Sequence, residues 1–136
     1  MRPETQESMP HDIAHELRSL IPQVGPGVFE RCGFILVDAS RNWKIIEIEN
    51  RSANPGEFVM AIEDLSRLWN SYGTELIGVW HTHPRGDRRP SEKDVQWAPP
   101  DLRYWIVTEW GVSEYDMAQS PVKCIAYHGM PDNGRS

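Results

Sequence analysis

The 136-residue sequence is poor in cysteine, in long apolar runs and in positive charge. Its two cysteines, Cys32 and Cys124, cannot build a disulfide framework. No apolar stretch approaches the roughly 20 residues that a membrane span requires, and the opening MRPETQESMPHD lacks the apolar core of a secretory signal. A cytoplasmic, reduced protein with no membrane segment is expected. The 14 Lys and Arg residues are outnumbered by 20 Asp and Glu, which leaves a net charge of −6 and a pI near 5.3. That balance disfavours a general nucleic-acid binder, although local basic patches remain open. What is present suffices for a core: 39% of residues are hydrophobic and 25% charged, too apolar for wholesale disorder. The length fits one domain, and a folded chain of this size hides about two-thirds of its surface.

Residues 1–10 are polar and hold two prolines, so a flexible lead is expected there. A domain over 11–130 and a flexible tail over 131–136 complete the expected organisation. From His11, the apolar positions Ile13, Ala14, Leu17, Leu20 and Ile21 follow helical spacing up to Pro22, before Gly25-Pro26-Gly27 breaks the chain. Residues 33–37 and 43–49 read as the arms of a β-hairpin turned at 38–42. Beyond the Asn54-Pro55-Gly56 breaker, Phe58, Ile62, Leu65 and Trp69 recur at i, i+4, i+7 and i+11, which predicts a helix closed by Gly73. Residues 74–80, 104–108 and 122–127 read as strands, and 91–97 as a short helix. No repeat or linker interrupts this alternation, which predicts a single α/β domain with helices packed on a mixed β-sheet.

The chemically informative stretch runs Trp80-His81-Thr82-His83-Pro84 and on to Pro90-Ser91-Glu92-Lys93-Asp94. Two histidines at i and i+2 in extended backbone point to the same side, so both can reach one ion. Their borderline-soft nitrogens, joined by one carboxylate oxygen, suit Zn2+, and three protein ligands leave the fourth tetrahedral position open, as in catalytic sites. Prolines at 84 and 90 stiffen the intervening loop, Gly86 turns it, and Ser91 caps a helix whose first turn carries Asp94. The spacing therefore returns a carboxylate to the histidines. One Zn2+ per chain, held by His81, His83 and Asp94, is the expectation. Taken singly, Ser91 would be a helix cap, Asp94 an acid favoured by the helix dipole, and the histidines incidental loop residues.

The order His-x-His, seven residues beginning with proline, Ser, two residues, Asp resembles the signature of the JAMM metalloproteases, also called JAB1/MPN/Mov34 domains; the resemblance covers most of the chain. It implies a cytidine-deaminase-like α/β fold of a minimal prokaryotic or phage type. It further implies zinc on His81, His83 and Asp94, and hydrolysis of peptide or isopeptide bonds after a ubiquitin-like C-terminus. The family's catalytic glutamate stands just before a Cys-Gly-aliphatic strand, and Phe29-Glu30-Arg31-Cys32-Gly33-Phe34 matches that position. By this resemblance Glu30 is the general base and acid. A carboxylate beside a zinc-activated water can take its second proton and protonate a departing amine. The Ser91 hydroxyl can donate to a developing oxyanion.

The expected partners are a ubiquitin-like protein or its conjugates, together with E1-like and E2-like proteins of the same operon, as in bacterial conjugation systems of antiphage defence. Only eight residues separate Asp94 from Arg103, so the long insertion with which eukaryotic relatives grip ubiquitin is not expected. Alternatives are a phage tail-assembly protease, a RadC-like DNA-associated protein, against which the net charge of −6 counts, and a non-catalytic scaffold, against which the intact residue set counts. His11 and His15 approach a zincin pattern but carry Asp12 between them in place of the catalytic Glu. Cys32 and Cys124 are expected to be buried small hydrophobes, and His128 a solvated loop residue. Arg85-Gly86-Asp87 serves the turn, while Arg85, Arg88 and Arg89 either meet an acidic substrate face or are solvated.

Overall fold

Runs rich in β-branched and aromatic residues form six strands: β1 (Cys32–Val37), β2 (Trp43–Ile48), β3 (Leu76–Thr82), β4 (Arg103–Thr108), β5 (Gly111–Asp116) and β6 (Lys123–Gly129). Among the described residues three α-helices accompany them, α1 (His11–Ser19), α2 (Ile62–Tyr72) and α3 (Glu92–Trp97), with a 3-10 turn at Gly73–Glu75. The computed structural model describes residues 7–21, 30–54, 57–83, 87–99 and 101–129. All six strands lie in one sheet, in the order β2-β1-β3-β4-β5-β6. β3 and β4 run parallel and the remaining neighbours antiparallel. A parallel pair needs a crossover connection, and α3 lies within it. The fold is thus a mixed α/β single domain. Among the described residues no helix is long and apolar enough to cross a membrane.

Each face of the sheet carries its own apolar layer. On one, Ile13, Ala14 and Leu17 of α1 pack with Ile35, Val37, Ile77, Trp80, Trp105, Val107 and Val112. On the other, Phe34, Leu36, Leu76, Val79, Tyr104 and Ile106 meet Leu68 of α2, with Trp97 of α3 against them. An irregularity in β3 decides which layer the histidines join. Ile35 pairs with Gly78 but its neighbour Leu36 pairs with Leu76, so Ile77 is an extra residue. Such a bulge shifts the two-residue phase, and from there on Val79 and His81 face the α2 and α3 side. The β1–β3 pairing then continues one step beyond β1. Thr82 N–H donates to the Arg31 carbonyl at 2.8 Å, and Arg31 N–H to Thr82 Oγ1 at 2.9 Å. Glu30 therefore leaves the ladder beside His81.

Gly33 marks a close approach. Its strand neighbour β2 turns the Ile46 carbonyl toward the space a Cβ would fill, and that oxygen accepts the Trp80 indole N–H at 3.2 Å. At the end of α2, Gly73 takes φ +51°, a conformation that favours glycine, and donates to the Trp69 carbonyl.

Three elements depart from the sequence expectation. The helix expected from Phe58 begins at Ile62, after extended backbone at Ala61, and 57–61 lies in neither helix nor strand. Its buried positions are Asp64 and Leu68, while Ile62 is 75% and Trp69 55% exposed. Strand β5 has no counterpart in the sequence reading, because Ser113 and Glu114 break its apolar alternation although both are buried. His128 lies inside β6, paired with Val112, rather than in a loop. Residues 1–6 of the expected lead and the whole expected tail lie outside the described residues, as do the breaks at Gly25-Pro26-Gly27 and Pro55-Gly56. Met9, assigned to that lead, is buried in the α1-side core.

Candidate metal centre

The end of β3, the start of α3 and the residue before Arg31 converge on one buried spot. His81 and His83 bring their Nε2 atoms within 2.9 Å of each other. Asp94 Oδ2 lies 3.2 Å from His83 Nε2 and 3.4 Å from His81 Nε2. Glu30 stands further back, Oε1 at 3.9 Å from His81 and Oε2 at 4.0 Å from His83. All four side chains are buried. Ser91, the fifth residue singled out from the sequence, is at the rim and exposed.

His83, Asp94 and His81 are each held by neighbours. His83 Nδ1 lies 2.6 Å from the Asp87 carbonyl, which can only accept, so Nδ1 carries the proton and Nε2 of the neutral ring offers a lone pair. Asp94 and Ser91 form a reciprocal cap. The Ser91 N–H donates to Asp94 Oδ2 at 2.7 Å, and the Asp94 N–H donates to Ser91 Oγ at 3.1 Å. The same carboxylate is thereby turned toward the imidazoles. His81 sits in an aromatic pocket: Phe58 lies over it at 4.6 Å between ring centroids and Tyr104 meets it edge-on at 5.5 Å. Trp97 packs edge-on against Phe58 at 5.0 Å.

Electrostatics sharpen the division of labour. Burial pushes the Glu30 carboxyl up to about 7, against a lesser pull from His83. Burial would raise Asp94 too, but hydrogen bonds to His81, His83 and the Ser91 N–H hold it well below the usual carboxylate range. For His81, burial dominates and lowers its pKa. His83 is also opposed by burial, yet Asp94, Glu30 and the Asp87 carbonyl together raise it.

These donors suit a metal ion. Glu30, His81 and His83 hold ligand atoms within 4.8 Å of one another and could bind one. A tetrahedral cation with bonds of about 2.0–2.1 Å separates its donors by about 3.3–3.4 Å, close to the spacing of Asp94 Oδ2 from the two imidazoles. Two ring nitrogens at 2.9 Å also need a proton or a cation between their lone pairs. Glu30 Oε1 is buried without a hydrogen-bond partner, as a carboxylate waiting on a further ligand would be.

The remaining sequence candidates lie elsewhere. His11 and His15 are exposed on α1. Cys32 is buried as expected, its thiol pushed up to about 12 by burial and directed to the Ile48 carbonyl at 3.6 Å. Cys124, also expected to be buried, is exposed because β6 is an edge strand. His128 is half-buried, and that burial lowers its pKa. Arg85 lies outside the described residues; the Arg88 guanidinium stacks 4.9 Å from the Tyr127 ring centroid, and Arg89 faces Asp87 at 4.0 Å. Phe58 and Asn50 were missed by sequence reasoning. Phe58 was assigned to a helix. Asn50 precedes a polar, Pro- and Gly-containing stretch, and that is the signal for the turn it makes.

Comparison with known proteins places this geometry. Residues 27–122 match the family of prokaryotic homologs of the JAB domain. No curated protein sequence matches the chain. The solution structure of protein DSY2949 from Desulfitobacterium hafniense is similar in fold, with a TM-score of 0.58 and 21% identity over 82% of this chain and 84% of that one. The span matched, which runs from before Glu30 to beyond Asp94, settles the family: this chain belongs to the prokaryotic homologs of the JAB domain.

Proposed function

We propose that the protein is a zinc-dependent peptidase or isopeptidase that processes a ubiquitin-like protein at its C-terminus. One observation carries the reading: His81 Nε2, His83 Nε2 and Asp94 Oδ2 lie 2.9, 3.2 and 3.4 Å apart, with Glu30 Oε1, buried without a hydrogen-bond partner, just behind them. In this reading His81, His83 and Asp94 hold the metal, and Glu30, at a longer distance from both imidazoles, does not. Zn2+ bound there supplies Lewis acidity, polarising a carbonyl and making water acidic near pH 7.

The chain's own residues do the rest. Glu30, whose burial brings its pKa close to neutrality, takes a proton from the attacking water and returns it to the departing amine. Asp94 stays anionic, held so by its hydrogen bonds. Ser91 accepts the Asp94 N–H with its oxygen lone pair, which leaves the hydroxyl hydrogen to donate to the oxyanion formed at the scissile carbonyl. Capping and catalysis thus use different parts of one group. The substrate is taken as an extended C-terminal tail, and E1-like and E2-like proteins are the partners that would build such conjugates, in a cytoplasmic setting.

Fusions of candidate ubiquitin-like proteins to a reporter test the reading. A zinc-replete preparation should cut directly after the last tail residue, and trimming that tail should slow cleavage more than changes elsewhere on the partner. Survival of every fusion and every isopeptide conjugate would overturn it.

A further inference from the structure

Glu30 occupies a weakly braced position for a residue asked to move protons. Arg31 is fastened to Thr82 through both its carbonyl and its N–H, but Glu30 lies one residue outside that ladder. Its carbonyl accepts from Asn50 Nδ2 at 2.7 Å. The other hydrogen of the same amide goes to the Glu57 carbonyl at 3.1 Å. Asn50 Oδ1 meanwhile accepts from Ser52 N–H at 2.9 Å and Val59 N–H at 3.0 Å. All four hydrogen-bonding positions of one part-buried side chain are therefore used. They join the Glu30 peptide to the segment that carries Phe58 over His81.

We infer that Asn50 is a positioning residue for Glu30, fixing the peptide from which the carboxylate reaches toward His81 and His83 and registering it against Phe58. The inference rests on the reading of Glu30 as the proton-carrying carboxylate. Asn50 touches neither imidazole nor Asp94 in this arrangement, so it acts through Glu30 and not through the donors that would hold the metal. Displacement of a catalytic group by about 1 Å can cost about 100-fold in rate, and loss of the 2.7 Å bond frees the Glu30 carbonyl for a shift of that size.

The test is a double-mutant cycle on the full chain, with Asn50→Ala and Glu30→Gln made singly and together. Co2+ is the probe, because its visible absorption reports its surroundings without any substrate. Glu30→Gln should retain Co2+ and alter the spectrum, Asn50→Ala should alter it in the same sense, and the double variant should match Glu30→Gln alone. With a cleaved fusion in hand, Asn50→Ala should lower kcat by about 10- to 100-fold with KM within about twofold, and should add nothing in the Glu30→Gln background. Asn50→Asp keeps the acceptor for Ser52 and Val59 but replaces the donor to the Glu30 and Glu57 carbonyls with an oxygen that repels both, so it should displace Glu30 at least as far as Asn50→Ala even if the alanine variant folds poorly. An Asn50 effect of equal size with and without Glu30 would overturn the inference, as would an Asn50→Asp protein with an unchanged spectrum. Failure of the wild type to cut any fusion would instead count against the proposed function, and the Co2+ cycle would still be readable.

Discussion

At the scale of single residues, the proposed function gives Glu30, Asp94 and Ser91 separable duties, and three substitutions should separate them. Glu30→Gln keeps the size and polarity of the side chain but removes the base, so metal content should stay near one per chain while turnover falls by about 10²–10⁴-fold. Asp94→Ala removes the anionic donor between two neutral rings, and both metal and turnover should be lost. Ser91→Ala should hold metal, lose about 10²–10³-fold in turnover and about 1 kcal/mol of stability through the missing cap. Elemental analysis with single-turnover rates on the three proteins decides the matter; a zinc-replete Glu30→Gln protein turning over like wild type would mean another group carries the proton. Asp94 and Ser91 could be singled out in the sequence because they stand at fixed offsets from the two histidines, and Glu30 because its place before Cys32-Gly33 resembles the JAMM signature. The contacts of Asn50 and the Asp87 carbonyl could not, since the stretch after Asn50 marks only a turn and a backbone oxygen leaves no pattern of its own.

The elements show where pattern reading stops. Phe58, Ile62, Leu65 and Trp69 have helical spacing in the sequence, yet Asn50 binds Glu57 and Val59 outside the helix and Phe58 packs on His81. The helix that remains buries Asp64 and Leu68. Leu68→Ala should therefore cost about 2–5 kcal/mol, whereas Trp69→Gln, on the open side, should stay within about 0.5 kcal/mol; urea unfolding of the two variants measures both. The hairpin β1–β2 and the histidine strand were legible from apolar runs bounded by turns. Strand β5 was not, because Glu114 is buried against Arg103 by a two-point ion pair and so carries no apolar signature. Nor does any single-sequence pattern reveal the bulge at Ile77 that sends His81 to the metal side. Gly33 tests the sheet directly. A methyl group there would overlap the Ile46 carbonyl that holds Trp80, so Gly33→Ala should destabilise the fold by about 1–3 kcal/mol, read as a lower urea midpoint with unchanged slope.

For the molecule as a whole, a metal ion bound at the candidate centre would be linked to protonation through its four buried groups. Without a cation, Glu30 titrates near 7 and His83 above its ordinary value. Between about pH 5 and 7 these two groups therefore hold protons that an incoming cation must expel, from His83 directly and from Glu30 by charge repulsion. Asp94 is held far below this window and contributes no protons to it, and burial lowers the pKa of His81. The sign follows: affinity for Zn2+ should rise with pH as Glu30, near 7, and His83, raised above its ordinary value, give up their protons. Stabilisation by a bound ion is about 2.7 kcal/mol at 100 times Kd, so at a fixed zinc concentration the gain in Tm over a chelator-treated sample should be larger at pH 7.5 than at pH 5.5. The two apolar layers lie on the sheet faces and take no ligand from the metal; the chelated protein should accordingly still unfold in one cooperative transition. Calorimetric titration with Zn2+ in buffers of different ionisation enthalpy counts the protons released at each pH. A proton count near zero at pH 6, with a gain in Tm that does not change between the two pH values, would show that the cation binds away from Glu30 and His83.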